Sequence, residues 1–158
     1  MGSYSFKSSG KTPEQRSVES LIVSNTPIGI KTPLEINSSN ASSILVMHDR
    51  LENVVHDNLR NLLLTNWGER LGLYKFGANL NPLLTDFVSQ EDFDSEAIER
   101  IRNAVTSWMP YISLENFLSV VDRKNADQSI ANISIIITYN VPDIEVFNKS
   151  LEILLKVI

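Results

Sequence analysis

The chain contains no cysteine, which excludes disulfides, thiolate nucleophiles and cysteine-based metal sites outright. Histidine is nearly absent too. His48 and His56 are its only two, and they are too far apart for the i, i+4 pair of a helical metal site. Basic residues are in the minority: 14 Lys and Arg stand against 19 Asp and Glu, a formal net charge of -5, with no lysine–arginine cluster. A general nucleic-acid binder needs a basic face to neutralise phosphates, so nucleic acid is not an expected partner. No run approaches the ~20 apolar residues that span a bilayer, and residues 1–20 lack a signal-peptide apolar segment, so no membrane partner is expected either. No serine sits in a nucleophile elbow and no phosphate loop is present, and no cofactor is expected.

What is present suits one domain with its own core: 158 residues, 42% of them hydrophobic and 21% charged. Residues 1–43 read as a flexible arm followed by an extended surface segment, and 44–158 as an α+β domain. Within the first part, LIVSNTPIGIKTPLEI (21–36) carries Pro27 and Pro33, which block helix and remove ladder donors. NSSNASS (37–43) reads as a loop. A helix is expected from about Asp49 to Asn66, with Leu51, Val54, Val55, Leu59, Leu62 and Leu63 on one side, Asp49 as N-cap and Gly68 as stop. A second is expected from about Ser95 to Met109, capped by Asp94 or Ser95 and ended by Pro110. Two strands follow, Ile112–Val121 and Ile130–Tyr139, joined by the polar loop DRKNADQS. The tail after Pro142 reads as a helix with Ile144, Phe147, Leu151 and Leu154 on one side, its β-branched content leaving a strand open. The expected fold class is therefore α+β, helices packed on a small antiparallel sheet with a C-terminal hairpin.

Residues 58–80 read NLRNLLLTNWGERLGLYKFGANL. Leu63, Thr65, Gly68, Glu69, Arg70, Phe76, Gly77 and Leu80 resemble the pattern of the baseplate-wedge family of contractile phage tails, some of whose members carry a lysozyme-like label. The same family supplies the type VI secretion baseplate subunit. With the second helix, its terminal proline and the hairpin in the family's order, the resemblance covers about residues 45–140. It implies a structural subunit of the virion tail baseplate, assembled in the host cytoplasm, that docks on other wedge proteins and initiates the sheath. One departure is clear. Where many members have Glu-Pro-Arg, this chain has Met109-Pro110-Tyr111, so the partner contact associated with that charged pair differs here.

The expected partner-binding residues are Gly68, Glu69, Arg70, Pro110, Ile133, Ile135 and Ile137. Gly68 allows a left-handed turn and Arg70 offers a bidentate fork for a carboxylate or helix-end carbonyls. A Glu69–Arg70 capping pair inside the domain is the competing reading. Strand 130–139 carries no charge, which fits either a central strand or an edge that accepts a sheath strand. Phe76 and Leu80 read as core and Gly77 as a turn residue. The chain is expected not to be an enzyme. The alternatives are a muralytic enzyme, for which the acidic run Asp86, Glu91, Asp92, Asp94, Glu96 and Glu99 supplies carboxyls, and a small regulatory adaptor. A run of solvated acids is not tuned for general-acid catalysis without burial.

Overall fold

The computed structural model describes residues 27–38, 44–86, 90–122 and 132–156. The arm at 1–20, residues 39–43 of the loop at 37–43 and most of the hairpin loop DRKNADQS lie outside them. In chain order the elements are strand β1 (Gly29–Ile30), β2 (Met47–His48), helix α1 (Leu51–Leu64), a single turn α2 (Leu83–Asp86), α3 (Gln90–Trp108), and strands β3 (Ser113–Asp122), β4 (Asn132–Val141) and β5 (Val146–Lys156). The class is α+β. Two helices cover one face of a three-stranded antiparallel sheet ordered β3-β4-β5, and β1 pairs with β2 in a separate two-stranded ribbon.

Alternation builds the sheet's inner face. Ile133, Ile135, Ile137, Tyr139 and Val141 of β4 and Leu151, Ile153 and Leu155 of β5 are buried, while their neighbours in sequence point outward. Against them pack Val55, Leu59, Leu62 and Leu63 of α1 and Phe93, Ala97, Ile101, Ala104 and Val105 of α3, two stripes at helical spacing. The other sheet face carries Leu118, Val120 and Leu154, each about half exposed.

Four expectations are corrected. The tail is not a helix: a short 3₁₀ turn (Pro142–Ile144) leads into β5. Phe147 and Leu154, placed on a buried helical side, are 60% and 51% exposed, because Leu151, Ile153 and Leu155 follow a period of two. Helix α3 starts at Gln90, not Ser95. Its stripe already begins at Phe93 (1% exposed), hidden in sequence by the flanking acids, so Asp94 and Ser95 are interior residues and not caps. Helix α1 ends at Leu64 with Thr65 in the C-cap position, three residues before Gly68, and Arg50 occupies the N-cap position expected for Asp49.

The extended segment is tied to α1 by a small polar anchor. The Asp57 carboxylate accepts a hydrogen bond from the Thr32 backbone N–H at 2.8 Å and one from His48 Nε2 at 2.7 Å, which joins both sides of the β1–β2 ribbon to the helix. Burial pushes the Asp57 carboxyl up, but the hydrogen bonds from His48 and Thr32 outweigh it and hold the group below 3.8. A carboxylate depressed in the folded state contributes stability that is full above its unfolded value and lost as pH falls through the folded one. Asp57→Asn should therefore cost about 1–2 kcal/mol at pH 7, and the gap to the parent should shrink below pH 3.8. Urea unfolding of both proteins at pH 7 and pH 3 measures it, and an undiminished gap at pH 3 would show that charge is not the cause. His56 adds a separate window. Burial, then the charge of Lys149, lowers it below 6.5, so it opposes folding as pH falls through the range under 6.5. Its Nδ1 lies 3.0 Å from the Tyr139 hydroxyl, whose own pKa burial pushes up to about 12.

Candidate partner-binding surface

Between the end of α1 and α2 the chain makes a loop, residues 65–80, that is closed on itself. Thr65 N–H and Oγ1–H both donate to Asn61 O (3.1 and 2.6 Å), ending the helix. Gly68 N–H donates to Tyr74 O at 2.8 Å with φ at +87°, which makes a tight return. Farther on, Ala78 N–H reaches back to Leu62 O and Asn79 N–H to Thr65 O, so the loop's exit runs beside its entry.

Glu69 and Arg70 form no ion pair with each other or with any described residue. Glu69 folds back as a cap, its carboxylate accepting from the backbone N–H and the Nδ2 of Asn66, both at 2.8 Å. Those bonds hold its carboxyl below the usual value. This supports the inward, capping reading for Glu69 but with Asn66 as its partner. Arg70 does something different: its guanidinium lies 3.8 Å above the Phe76 ring, and Phe76 meets Trp108 edge-on at 5.1 Å. The stack Arg70–Phe76–Trp108 thus joins the loop to the end of α3 and leaves the guanidinium's edge accessible, since Arg70 is exposed.

Pro110 is exposed at the turn that follows α3, and Met109 is buried beneath it. Tyr111, where the family pattern has arginine, is 41% exposed. With Arg70, Phe76, Trp108, Asn58 and Asn61 it lines a shallow groove of about 280 Å³. The Met-Pro-Tyr departure therefore replaces a charge at this position with an aromatic face beside Arg70. The loop itself is unusually apolar for an exposed segment. Trp67, Leu71, Leu73 and Tyr74 are 49%, 104%, 44% and 70% exposed, a concentration that solvent alone does not favour. No single residue of this cluster gave a sequence signal, because Trp67, Leu71, Leu73 and Tyr74 all fall on spacer positions of the motif.

Ile133, Ile135 and Ile137 are placed elsewhere and correct the expectation that they present themselves to a partner. Their side chains are 0%, 0% and 2% exposed, and β4 is hydrogen-bonded on both sides, to β3 and to β5. Of the two open readings of this strand, the structure has the central one. Among the described residues the outer strands of this sheet are β3 and β5. β5 carries Lys149, Glu152 and Lys156 along its length, whereas Phe117–Val121 of β3 has no charge.

Of the acidic run, Asp86 ends α2 and Glu91, Asp92, Asp94, Glu96 and Glu99 lie on α3. Glu91, Asp92, Glu96 and Glu99 are exposed, Glu96 pairs with Arg100 at 2.9 Å, and Asp94 accepts from Ser119 Oγ at 2.5 Å across to β3. Among the described residues no group of three His, Asp or Glu side chains is arranged to hold a metal ion.

No family model matches the sequence, and no curated protein matches it. Solved structures do. A chain of the anti-feeding prophage (AFP) baseplate, determined by cryo-electron microscopy, superposes with a TM-score of 0.57 at 16% identity, covering 73% of this chain and 85% of that one. A protein assigned as a tail lysozyme of Geobacter sulfurreducens superposes with a TM-score of 0.51 at 18% identity, covering 71% of this chain and 94% of that one. Identity this low establishes fold alone: the chain has the fold of a prophage baseplate protein and of a tail-lysozyme-named protein, as the resemblance of the 58–80 block implies.

Proposed function

We propose that this chain is a structural wedge subunit of a contractile-tail baseplate, located in the tail of the virion, that docks on other baseplate proteins and initiates sheath assembly. Docking uses the exposed loop 67–74 and the Arg70–Tyr111 face. Initiation uses strand addition along β3. The observation that carries the reading is the sheet itself: three strands, one face packed on helices, and an outer strand β3 whose stretch Phe117–Val121 carries no charge. Sheets normally place charge along an outer strand, and an uncharged one suits a template for another chain's strand. Leu118 and Val120 on that strand (53% and 47% exposed) extend the apolar surface onto the open sheet face.

The reading is of a structural protein and not a muralytic enzyme. A glycosidase acid needs a carboxyl whose pKa is raised, and among the described residues the two carboxyls with a clear shift, Asp57 and Glu69, are both lowered.

Adjacent backbone amides in a strand point to opposite edges. Of Val120→Pro and Val121→Pro, one therefore removes a bond to β4 and destabilises the fold, and the other removes an N–H directed away from β4. The variant that keeps the parent's melting temperature is expected to abolish growth of sheath rings from reconstituted baseplates, scored by negative-stain microscopy. Undiminished ring growth from that folded variant sinks strand addition at β3. The same purified chain is expected to leave the turbidity of a cell-wall suspension unchanged.

A further inference from the structure

The shallow groove of about 280 Å³ that Arg70 and Tyr111 share has one charged residue in its lining, Arg70, and no acid. That charge is not matched within the described residues. The guanidinium lies 3.8 Å above the Phe76 ring, so its flat face is engaged while the N–H donors around its edge are not. No carboxylate or carbonyl of a described residue accepts from them. The neighbouring Glu69 is committed elsewhere, both of its carboxylate oxygens accepting from Asn66.

Two more polar side chains line the same groove, Asn58 and Tyr111, and neither has a hydrogen-bond partner among the described residues. Burial raises the Tyr111 hydroxyl above the usual phenol range, so at neutral pH it is an O–H donor. The remaining lining is mostly apolar and firm. Leu62 and Met109 are 1% and 5% exposed, and Trp108 stands edge-on to Phe76 at 5.1 Å. An arginine already held flat by stacking loses little further freedom when it forms a two-pronged bond.

We infer that this groove receives an aspartate or glutamate side chain of a neighbouring baseplate subunit, bound by the edge of Arg70 with the Tyr111 hydroxyl and the Asn58 amide as further donors. An apolar residue beside that acid rests on Leu62, Met109 and Trp108. Charge complementarity chooses the occupant: one base, no acid and three sets of unpartnered donors match a carboxylate. A neutral or basic segment would cover the guanidinium without pairing it, and an unpaired charge removed from water is costly. The inference rests on the reading of the chain as a baseplate subunit and names the partner chemistry of its Arg70–Tyr111 face.

Asn58 is exposed on α1, so a charge of either sign can be placed there while the fold is kept. Tail particles are assembled with the full chain as Arg70→Gln, Asn58→Asp or Asn58→Lys, each shown to be folded by its thermal transition and each competing with isotope-labelled wild type. Incorporation ratios are read by mass spectrometry. Arg70→Gln is expected to cut incorporation about tenfold or more. Asn58→Asp supplies Arg70 with an acid of its own chain and repels the incoming one, and is expected to cut it about fivefold. Asn58→Lys is expected to raise it about twofold or more. Loss of the Phe76 stack alone could explain the first result, but not opposite signs at Asn58. In particles carrying Arg70→Lys, a carbodiimide is expected to couple the new amine to an Asp or Glu of another subunit. Coupling to another subunit's C-terminal carboxylate overturns the choice of a side chain. Equal incorporation of Asn58→Asp and Asn58→Lys, in particles that take up the wild-type chain, overturns the inference and leaves the subunit reading intact. Failure of the wild-type chain to enter particles at all overturns both.

Discussion

Ile135→Ala is expected to destabilise the folded chain by about 3–4 kcal/mol, the range for truncating a large aliphatic side chain in a closed core. Ile135 is 0% exposed at the centre of the sheet, with Ser119 and Ile153 opposite it on the flanking strands. In a domain of this length such a loss lowers the melting temperature by roughly 6–16 °C. The informative comparison is the next residue. Ile136 points to the other face and is only half-buried, so Ile136→Ala should cost about 1 kcal/mol. Thermal and urea unfolding of both variants measures the asymmetry. Equal losses would mean that the open face is covered as the inner one is, and would remove the argument for Leu118 and Val120 as part of a docking surface. If Ile135 served a partner directly, its truncation would weaken assembly while sparing the melting temperature, the reverse of what its burial predicts.

Ile135 also shows where the sequence was readable and where it was not. A strand of alternating isoleucines without charge reports burial, which is correct. It does not report whether strands lie on one side or both, because that depends on a second segment finding it. The segment in question is 146–156, whose Phe147, Leu151 and Leu154 happen to fall at helical spacing. Its true signal, Leu151, Ile153 and Leu155 in alternation, occupies only its second half. Reading the tail as a helix therefore left β4 one neighbour short and made an edge plausible. Helix α1 had no such ambiguity. Its stripe keeps helical spacing throughout, and only a helix buries Val55, Leu59, Leu62 and Leu63 together. The start of α3 was missed because its one buried residue before Ala97, Phe93, sits among four acids, which read locally as a solvated loop.

The candidate surface was legible only as a motif. Gly68, Glu69 and Arg70 were correctly set on a turn after the helix, yet their roles depend on groups distant in sequence. Arg70 is defined by Phe76, and Phe76 by Trp108, which arrives from the end of another helix. Nothing local in Gly-Glu-Arg says that the arginine stacks while the glutamate caps. The anchor of Asp57 on Thr32 and His48 is hidden for the same reason, since three elements meet there. Side-chain geometry of this kind comes from packing after the elements form, so it leaves no periodic trace.

Gly77→Ala is expected to be comparably damaging, through the backbone and not the core. Gly77 has φ at +111°, outside what side-chain-bearing residues adopt readily, and a Cβ there would stand 2.1 Å from the Thr65 carbonyl oxygen. That oxygen belongs to the end of α1 and already accepts from Asn79 N–H, so it cannot retreat without opening the loop's closure. Strain and displacement together should cost about 3 kcal/mol or more. Gly72 supplies the control. Its φ is +81° but a Cβ there would meet nothing within 4 Å, so Gly72→Ala should cost only about 1 kcal/mol. The two variants also separate optically. The chain has just two tryptophans, and Trp67 is held by the Gly77 carbonyl. Moving that carbonyl frees the indole, so Gly77→Ala should red-shift the emission of the folded protein at low temperature, and Gly72→Ala should not. A Gly77→Ala protein that melts with the parent and keeps its emission would mean that the loop has room to relax. Trp67 would then not be pinned by the Gly77 carbonyl.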